Sequence, residues 1–90
     1  MTFETPNHRE LVAKGALLLD VRTPAEFCAG HLADAINVPV QELPARLCDV
    51  EPTSRPVVVY CRSGGRSAMA RALLTRAGYQ VADLGPMTAW

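Results

Sequence analysis

A single cysteine, Cys61, lies where an apolar run of the sequence gives way to a glycine-rich turn. The letters CRSGGRS, residues 61–67, follow the run VVVY. Two adjacent glycines let the chain curl around a centre, because glycine adopts backbone angles that are closed to other residues. Successive N–H groups in such a turn point inward and can bind an anion. The sequence therefore predicts that Cys61 lies above an anion-binding loop.

The surroundings of Cys61 favour the thiolate form of its side chain. A helix-like segment begins directly after the glycines, and the free amides at a helix start attract negative charge. Arg62 and Arg66 add positive charge at the rim. Helix N-termini and nearby arginines lower the pKa of a cysteine, and the thiolate is the nucleophile. We therefore interpret Cys61 as a nucleophile; the alternative is an inert, buried cysteine at a strand end.

The elements that must position this loop alternate between strand-like and helix-like segments. Strands are predicted at residues 2–5, 16–21, 35–40, 55–61 and 79–84, and helical segments at residues 6–15, 23–30, 40–50, 65–78 and 85–90. Such alternation, with continuous apolar strands, indicates a parallel sheet covered by helices on both faces. Ligands bind outside the carboxyl ends of the strands in these sheets. Residues 61–67 and 20–22 meet that condition.

Two of the predicted helices have clear boundary signals. Thr23 can cap the second helix, Pro24 suits its first position, and Glu26 completes a capping box. The longest helix, residues 65–78, ends at a glycine. Its apolar residues are expected to share one face: Met69, Ala70, Leu73, Leu74 and Ala77.

Length, charge and cysteine content limit the class of protein. Ninety residues with 49% hydrophobic and 20% charged residues make one soluble domain, residues 1–90. A net charge of zero argues against nucleic acid or an anionic membrane as a partner. The first ten residues lack a secretory pattern, and no apolar run could span a bilayer, so we expect a cytoplasmic protein. Three scattered cysteines, Cys28, Cys48 and Cys61, fit neither a disulfide framework nor a zinc site.

Two blocks of the sequence resemble the rhodanese family. The block from residue 57 to residue 90 resembles the carboxyl half of a rhodanese domain, and LLLDVRTPAEFCAGHLADAINVPV resembles the amino half, with D-V-R, E-F, G-H and A-x-N-x-P in order. The family's active loop, C-x-x-G-x-R, is matched by Cys61, Gly64 and Arg66. The resemblance implies a rhodanese-like three-layer α/β/α fold around a central, mostly parallel five-stranded sheet.

The resemblance also implies sulfurtransferase chemistry. Cys61 would take the outer sulfur of a donor such as thiosulfate, become a persulfide, and pass that sulfur to cyanide or a thiol. Substrate binding would fall to the loop: Arg62, Ser63, Gly64, Gly65, Arg66 and Ser67. No metal or organic cofactor is implied. The expected partners are a small-molecule sulfur donor and a thiol or cyanide acceptor, with an acceptor protein as a further option, and a monomer is the default.

The length of the loop separates two related chemistries. Sulfurtransferases of this fold are associated with a six-residue loop, whereas the related phosphatases and arsenate reductases have one residue more. From Cys61 to Arg66 the loop is C-x4-R. This disfavours a phosphatase or arsenate reductase. The remaining alternative to an enzyme is a non-enzymatic rhodanese-like sulfur carrier or binding module.

Several other residues near the predicted site have more ordinary interpretations. Asp20 and Arg22 are expected to support the neighbouring loops, and His31 to be a hydrogen-bonded turn residue. Cys28 is either a small residue on a short helix or a thiol that resolves the Cys61 persulfide. Glu26 occupies a position where the two-domain thiosulfate enzymes have an arginine that binds the donor. We therefore expect thiosulfate to be a modest substrate.

Overall fold

A computed structural model describes residues 7–50 and 52–90 of the chain. Its strands form one parallel sheet in the spatial order β2-β1-β3-β4. The strands are β1 (Leu17–Asp20), β2 (Ile36–Asn37), β3 (Val57–Cys61) and β4 (Val81–Pro86). The α-helices are α1 (His8–Ala13), α2 (Pro24–Ala29) and α3 (Gly65–Arg76), and 3-10 helices span Leu43–Asp49 and Met87–Ala89.

The sheet is parallel, as predicted, but the described part of the chain contains four strands and not five. The predicted strand that is not among these four is the first along the chain, residues 2–5, and it lies outside the described residues. Strand β2 is also shorter than the predicted segment 35–40. Beyond β2 the amides of Val38 and Val40 still donate to the carbonyl groups of β1 and Val21, but Pro39 between them has no N–H group to extend the ladder.

The two interior strands, β1 and β3, are buried along their whole length, which explains their continuous apolar sequences. On one face of the sheet they pack against α3 and the first 3-10 helix. On the other face they pack against α1 and the carboxyl-terminal segment that ends at Trp90. The arrangement therefore has three layers. No helix in the described ranges is both long enough and apolar enough to cross a membrane.

Two helical segments differ from the sequence-based prediction. The segment predicted as a helix at residues 40–50 is a 3-10 helix with non-helical backbone angles at Arg46, and Pro44 in its first turn cannot donate a backbone hydrogen bond. In α3 the buried positions are Ser67, Ala70 and Leu74. The predicted apolar face is therefore rotated: Met69 is 64% exposed and Ala77 is exposed.

Candidate active site

The glycine turn after β3 encloses the sulfur atom of Cys61. The amide of Gly64 donates to Cys61 Sγ at 2.9 Å, and the amide of Ser67 in the first turn of α3 approaches it at 3.4 Å. Gly64 has φ 102°, a left-handed conformation that disfavours residues with a side chain. A Cβ atom at Gly64 would meet its nearest neighbours at 4.0 Å, which is an ordinary contact distance. Glycine is therefore favoured here by the backbone angle and not by a lack of space.

An irregularity in the sheet shapes the floor beside this turn. The pairing of β3 with β4 shifts between Val59 and Tyr60, so Gly85 lies opposite Tyr60 and Pro86 lies opposite Cys61. This is a bulge in β4, a feature that is common next to active sites. The backbone of β4 consequently lies close beneath Gly64.

The environment of Cys61 favours its ionised form. The side chain has no exposed surface, and this burial is the largest single influence, which by itself raises the pKa. Hydrogen bonds from the Ser67 hydroxyl and from the amides of Ser67, Gly64 and Ser63 oppose it. Together they outweigh burial and leave the pKa of Cys61 lowered. The turn after β3 therefore directs backbone N–H groups at the Cys61 sulfur, as an anion-binding turn requires.

The Ser67 hydroxyl group has two acceptors within reach but one hydrogen atom. Its oxygen lies 3.1 Å from the carbonyl oxygen of Gly64, to which it can donate. The same hydroxyl can rotate to donate to the sulfur of Cys61, where it lowers the pKa of the thiol. A negatively charged sulfur is the better acceptor of the two. The bond to the sulfur is therefore favoured when Cys61 is ionised.

The loop arginine, Arg66, is held by Glu26 of α2. Two guanidinium nitrogens lie 2.6 and 3.0 Å from the two carboxylate oxygens. Glu26 also accepts a bond from the backbone amide of Thr23, which completes the predicted capping box. The Arg66 hydrogen bonds first, and the Thr23 amide next, lower the pKa of Glu26 to about 2. Glu26 thus caps its own helix and matches the charge of Arg66.

The sequence-based interpretation gave Glu26 only the capping role and missed its pairing with Arg66. The two residues are forty positions apart, and no local pattern in the sequence links them. Asn37 was also missed as a supporting residue. Its side-chain amide donates to the carbonyl oxygens of Asp20 and Arg22 at 3.0 and 2.9 Å. The A-x-N-x-P segment was the available signal for Asn37.

Asp20 and Arg22 form a buried ion pair at the end of β1. Arg22 Nε lies 3.0 Å from both carboxylate oxygens of Asp20, and Arg22 Nη2 lies 2.7 Å from Oδ2. The same Nη2 donates to the carbonyl oxygen of Gly30 at 2.7 Å, just after α2. The pair therefore ties the strand end to the helix that carries Glu26. Hydrogen bonding to Asp20 raises the pKa of Arg22.

A cavity of about 320 Å³ opens beside the loop, and its lining residues are Arg22, Glu26, Ala29, Arg62, Met87 and Thr88. Cys61 is not part of its lining. Arg62 is exposed, and the described residues offer it no hydrogen-bond or ion-pair partner. Asp20 forms an ion pair with Arg22, and Glu26 forms one with Arg66. Arg62 therefore supplies a positive charge at this cavity that these two carboxylates do not balance.

The remaining candidate residues are a histidine and two cysteines outside the turn, and two residues within it. His31 stacks on Phe27 with ring centroids 3.7 Å apart, and its Nδ1 lies 2.9 Å from the Phe27 carbonyl oxygen. These contacts match the predicted turn histidine. Cys28 and Cys48 are exposed free thiols. Ser63 and Gly65 lie in the turn itself, on either side of Gly64.

The sequence from residue 6 to residue 90 matches the family model of the rhodanese-like domain. The chain belongs to the rhodanese-like domain family. A sulfurtransferase of Allochromatium vinosum is 42% identical over 97% of this chain and 82% of its own length. Thiosulfate sulfurtransferase 16 of Arabidopsis thaliana, a chloroplastic protein, is 38% identical over 90% of this chain and 78% of its own length.

Solved structures agree with this assignment. A structure described as rhodanese with anions from E. coli is similar to this rhodanese-like domain with a TM-score of 0.79 at 31% identity, over 84% of this chain and 92% of that one. The family and its relatives named sulfurtransferases together support sulfur transfer in the broad sense. The predicted family is confirmed.

Proposed function

We propose that this rhodanese-like domain is a sulfurtransferase that moves sulfane sulfur from a donor such as thiosulfate to cyanide or a thiol, through a persulfide on Cys61. The main support is the pair of amide N–H groups aimed at Cys61 Sγ, from Gly64 and Ser67. A thiolate and a terminal persulfide sulfur both carry negative charge, and fixed N–H dipoles stabilise such charge. The relatives named sulfurtransferases favour the same activity.

In the first half-reaction the Cys61 thiolate attacks the outer sulfur of thiosulfate. A new S–S bond forms to Cys61, the S–S bond of the donor breaks, and sulfite leaves with the bonding electron pair. The lowered pKa of Cys61 favours the ionised thiol, and an ionised thiol requires no general base for this attack. Since Cys61 has no exposed surface, the groups that cover the sulfur must move to admit the donor.

In the second half-reaction the acceptor attacks the outer sulfur of the persulfide. Cyanide forms thiocyanate, or a thiolate forms a new persulfide, and Cys61 leaves as a thiolate. The oxidation state of the enzyme is the same before and after the cycle, so no external oxidant or reductant enters. The amides of Gly64 and Ser67 bind the charge on Cys61 when it leaves.

Loading of sulfur onto the protein tests the proposal directly. We expect incubation with thiosulfate to add the mass of one sulfur atom, which dithiothreitol removes, in intact-mass spectra. Cys61→Ser should lose both this adduct and thiocyanate formation from cyanide. Cys28→Ser is the matched control, because Cys28 is a free, exposed thiol outside the turn, and it should keep both.

Three results would overturn parts of this proposal. If neither thiosulfate nor 3-mercaptopyruvate loads sulfur, the domain is a binding module and not a sulfurtransferase. If Cys61→Ser still forms thiocyanate, another residue is the nucleophile. If the protein hydrolyses para-nitrophenyl phosphate above background, the phosphatase alternative returns, despite the short C-x4-R loop.

A further inference from the structure

The outer surface of α3 has an apolar groove that is not covered by the rest of the described chain. The groove has a volume of about 460 Å³ and is lined by Met69, Ala72, Leu73, Arg76 and Ala77. Met69 is the one large hydrophobic residue of the described chain that is strongly exposed, at 64%. An exposed apolar patch with a polar rim is typical of a binding surface. We call these five residues the α3 groove.

The groove runs along α3 to the glycine turn after β3. Gly65, Met69, Ala72 and Arg76 are spaced by three and four residues, so they lie in one stripe on the side of α3 opposite the buried residues. Gly65 is the first residue of the helix and belongs to the turn that encloses Cys61. From Gly65 to Met69 the helix rises by only about 6 Å. A molecule that lies in the groove therefore reaches the rim of the turn.

The charge around the groove is positive. The segment from residue 52 to residue 82 contains five arginines and no acidic residue, although the whole chain is neutral. Arg66 is matched by Glu26, but Arg62 at the turn and Arg76 in the groove have no hydrogen-bonded or ion-paired carboxylate among the described residues. Positive charge thus lies at both ends of the stripe. A partner that fits must bring apolar side chains flanked by carboxylates.

This combination disfavours two other occupants. A symmetric dimer would bring together two copies of the same positively charged patch, without an acidic residue on α3 to balance the charge of Arg76 in either copy. Nucleic-acid interfaces are polar and strongly basic. The α3 groove instead centres on apolar side chains, including Met69 and Leu73.

We propose that the α3 groove docks an acidic partner protein that presents a cysteine to the Cys61 turn and accepts its sulfur. This inference rests on the proposed sulfurtransferase function. The partner's thiolate attacks the outer persulfide sulfur, an S–S bond forms on the partner, the bond to Cys61 breaks, and Cys61 leaves as a thiolate. The proton of the partner's thiol goes to solvent. The five residues that line the groove are fewer than the roughly 20–30 residues that each side of a standard stable interface contributes, which suits a partner that must dissociate after each transfer.

A defined peptide serves as the probe. It is a fluorescein-labelled amphipathic helix with leucines on one face, glutamates beside them and one terminal cysteine, and its matched form has glutamine for every glutamate. Binding is measured by fluorescence anisotropy at low ionic strength with Cys61→Ser protein, so that it is independent of sulfur chemistry. We expect the acidic peptide to bind about tenfold more tightly than the neutral one, with the difference lost at high salt.

Variants of the protein locate the binding surface. Arg76→Glu and Met69→Gln, introduced into the same background, should each weaken binding of the acidic peptide several-fold, whereas Arg76→Lys should retain it. Lys14→Glu is the matched control, because Lys14 is 72% exposed, caps the carboxyl end of α1 and undergoes the same change of charge as Arg76→Glu. We expect Lys14→Glu to bind the acidic peptide like the parent protein.

In variants that keep Cys61, sulfur transfer from the loaded protein to the peptide cysteine should be weakened by Arg76→Glu and Met69→Gln but not by Arg76→Lys, while thiocyanate formation from cyanide stays unchanged in Arg76→Glu and Met69→Gln. Equal binding of the two peptides, or equal weakening by Arg76→Glu and Lys14→Glu, overturns the docking proposal. Dimerisation that Met69→Gln abolishes would assign the groove to a second copy. Displacement of the peptide by a DNA duplex would assign it to nucleic acid. Failure of Cys61 to load sulfur, with peptide binding intact, would refute the function but not the docking surface.

Discussion

Substitution of Glu26 by glutamine should make thiosulfate a better donor. In the structure Glu26 holds Arg66 through two hydrogen bonds of 2.6 and 3.0 Å and matches its charge. Glutamine keeps the shape of the side chain and can still serve in a capping box. Its amide has no charge, so the change leaves Arg66 unmatched beside the sulfur. The loop then gains one net positive charge, and an anionic donor is attracted more strongly.

The size of the effect depends on the charge of the donor. The side chains of Arg66 and Glu26 are 30% and 26% exposed, so water screens them and a high dielectric constant applies. In water, one added charge at roughly 7 Å changes the affinity for a monoanion by about threefold. A dianion gains twice the free energy, so the affinity for it changes by about ninefold. Thiosulfate is a dianion, and an organic thiosulfonate is a monoanion with the same reactive sulfur.

The assay compares kcat/KM for thiosulfate and for benzenethiosulfonate, with cyanide as the acceptor, in wild-type protein and Glu26→Gln. We expect kcat/KM to increase for both donors. The factor for thiosulfate should be roughly the square of the factor for benzenethiosulfonate. The gain should shrink as salt is added, because exposed charges are screened over about 8–10 Å. Thr23→Ala provides the control, since it removes the cap but leaves the Glu26 carboxylate on Arg66.

Two results would refute this reasoning. If Glu26→Gln lowers kcat/KM for both donors equally, the ion pair positions the loop and does not restrain anionic donors. If Thr23→Ala changes the ratio of the two donors as strongly as Glu26→Gln, the effect comes from the helix cap and not from the charge of Arg66.

Three further predictions concern stability and the geometry of the turn. Asp20→Asn leaves the buried Arg22 without its counter-charge and should cost about 3–5 kcal/mol, seen as a fall in Tm of at least about 10 °C; an unchanged Tm would contradict the structural role of the pair. Gly64→Ala forces a side chain onto a residue with φ 102° and should cost about 1–2 kcal/mol while slowing sulfur loading; full activity would show that the turn accepts a side chain at this position without moving its amide away from the sulfur. The folded-state pKa of Glu26, about 2, lies below its ordinary value of 4.5, so its stabilisation is complete above about pH 5 and is lost as the pH falls towards 2. Thermal melts should therefore show a smaller acid-side loss of Tm in Glu26→Gln than in wild type, and identical pH profiles would exclude this contribution.

Much of the fold was predictable because its signals are local. The strands β1 and β3 are buried on both faces, and each is a continuous run of apolar residues. The start of α2 carries a threonine cap, a proline and a glutamate at the positions that a helix start favours. The glycine turn after β3 was recognisable for the same reason, since Cys61 and the amides that contact its sulfur lie within seven consecutive residues.

Errors arose where partners far apart in the chain decide the outcome. The apolar residues of α3 do not show which side faces the sheet, and the structure buries Ser67, Ala70 and Leu74 while it exposes Met69. The first 3-10 helix has the composition of an α-helix, but its backbone takes 3-10 geometry and is interrupted at Arg46. In both cases the packing against the sheet selects among conformations that the local sequence leaves open.

The sequence by itself predicted Cys61 as the nucleophile and determined the turn that encloses it and the family of the chain, because each depends on neighbouring residues in a fixed order. Only the tertiary structure showed that Glu26 matches the charge of Arg66 and that Met69 and Arg76 line an exposed groove leading to the turn. The physical reason is that charge balance and exposure depend on contacts across the sheet and between helices. Glu26 and Arg66 are forty residues apart, and folding brings their side chains within hydrogen-bond distance.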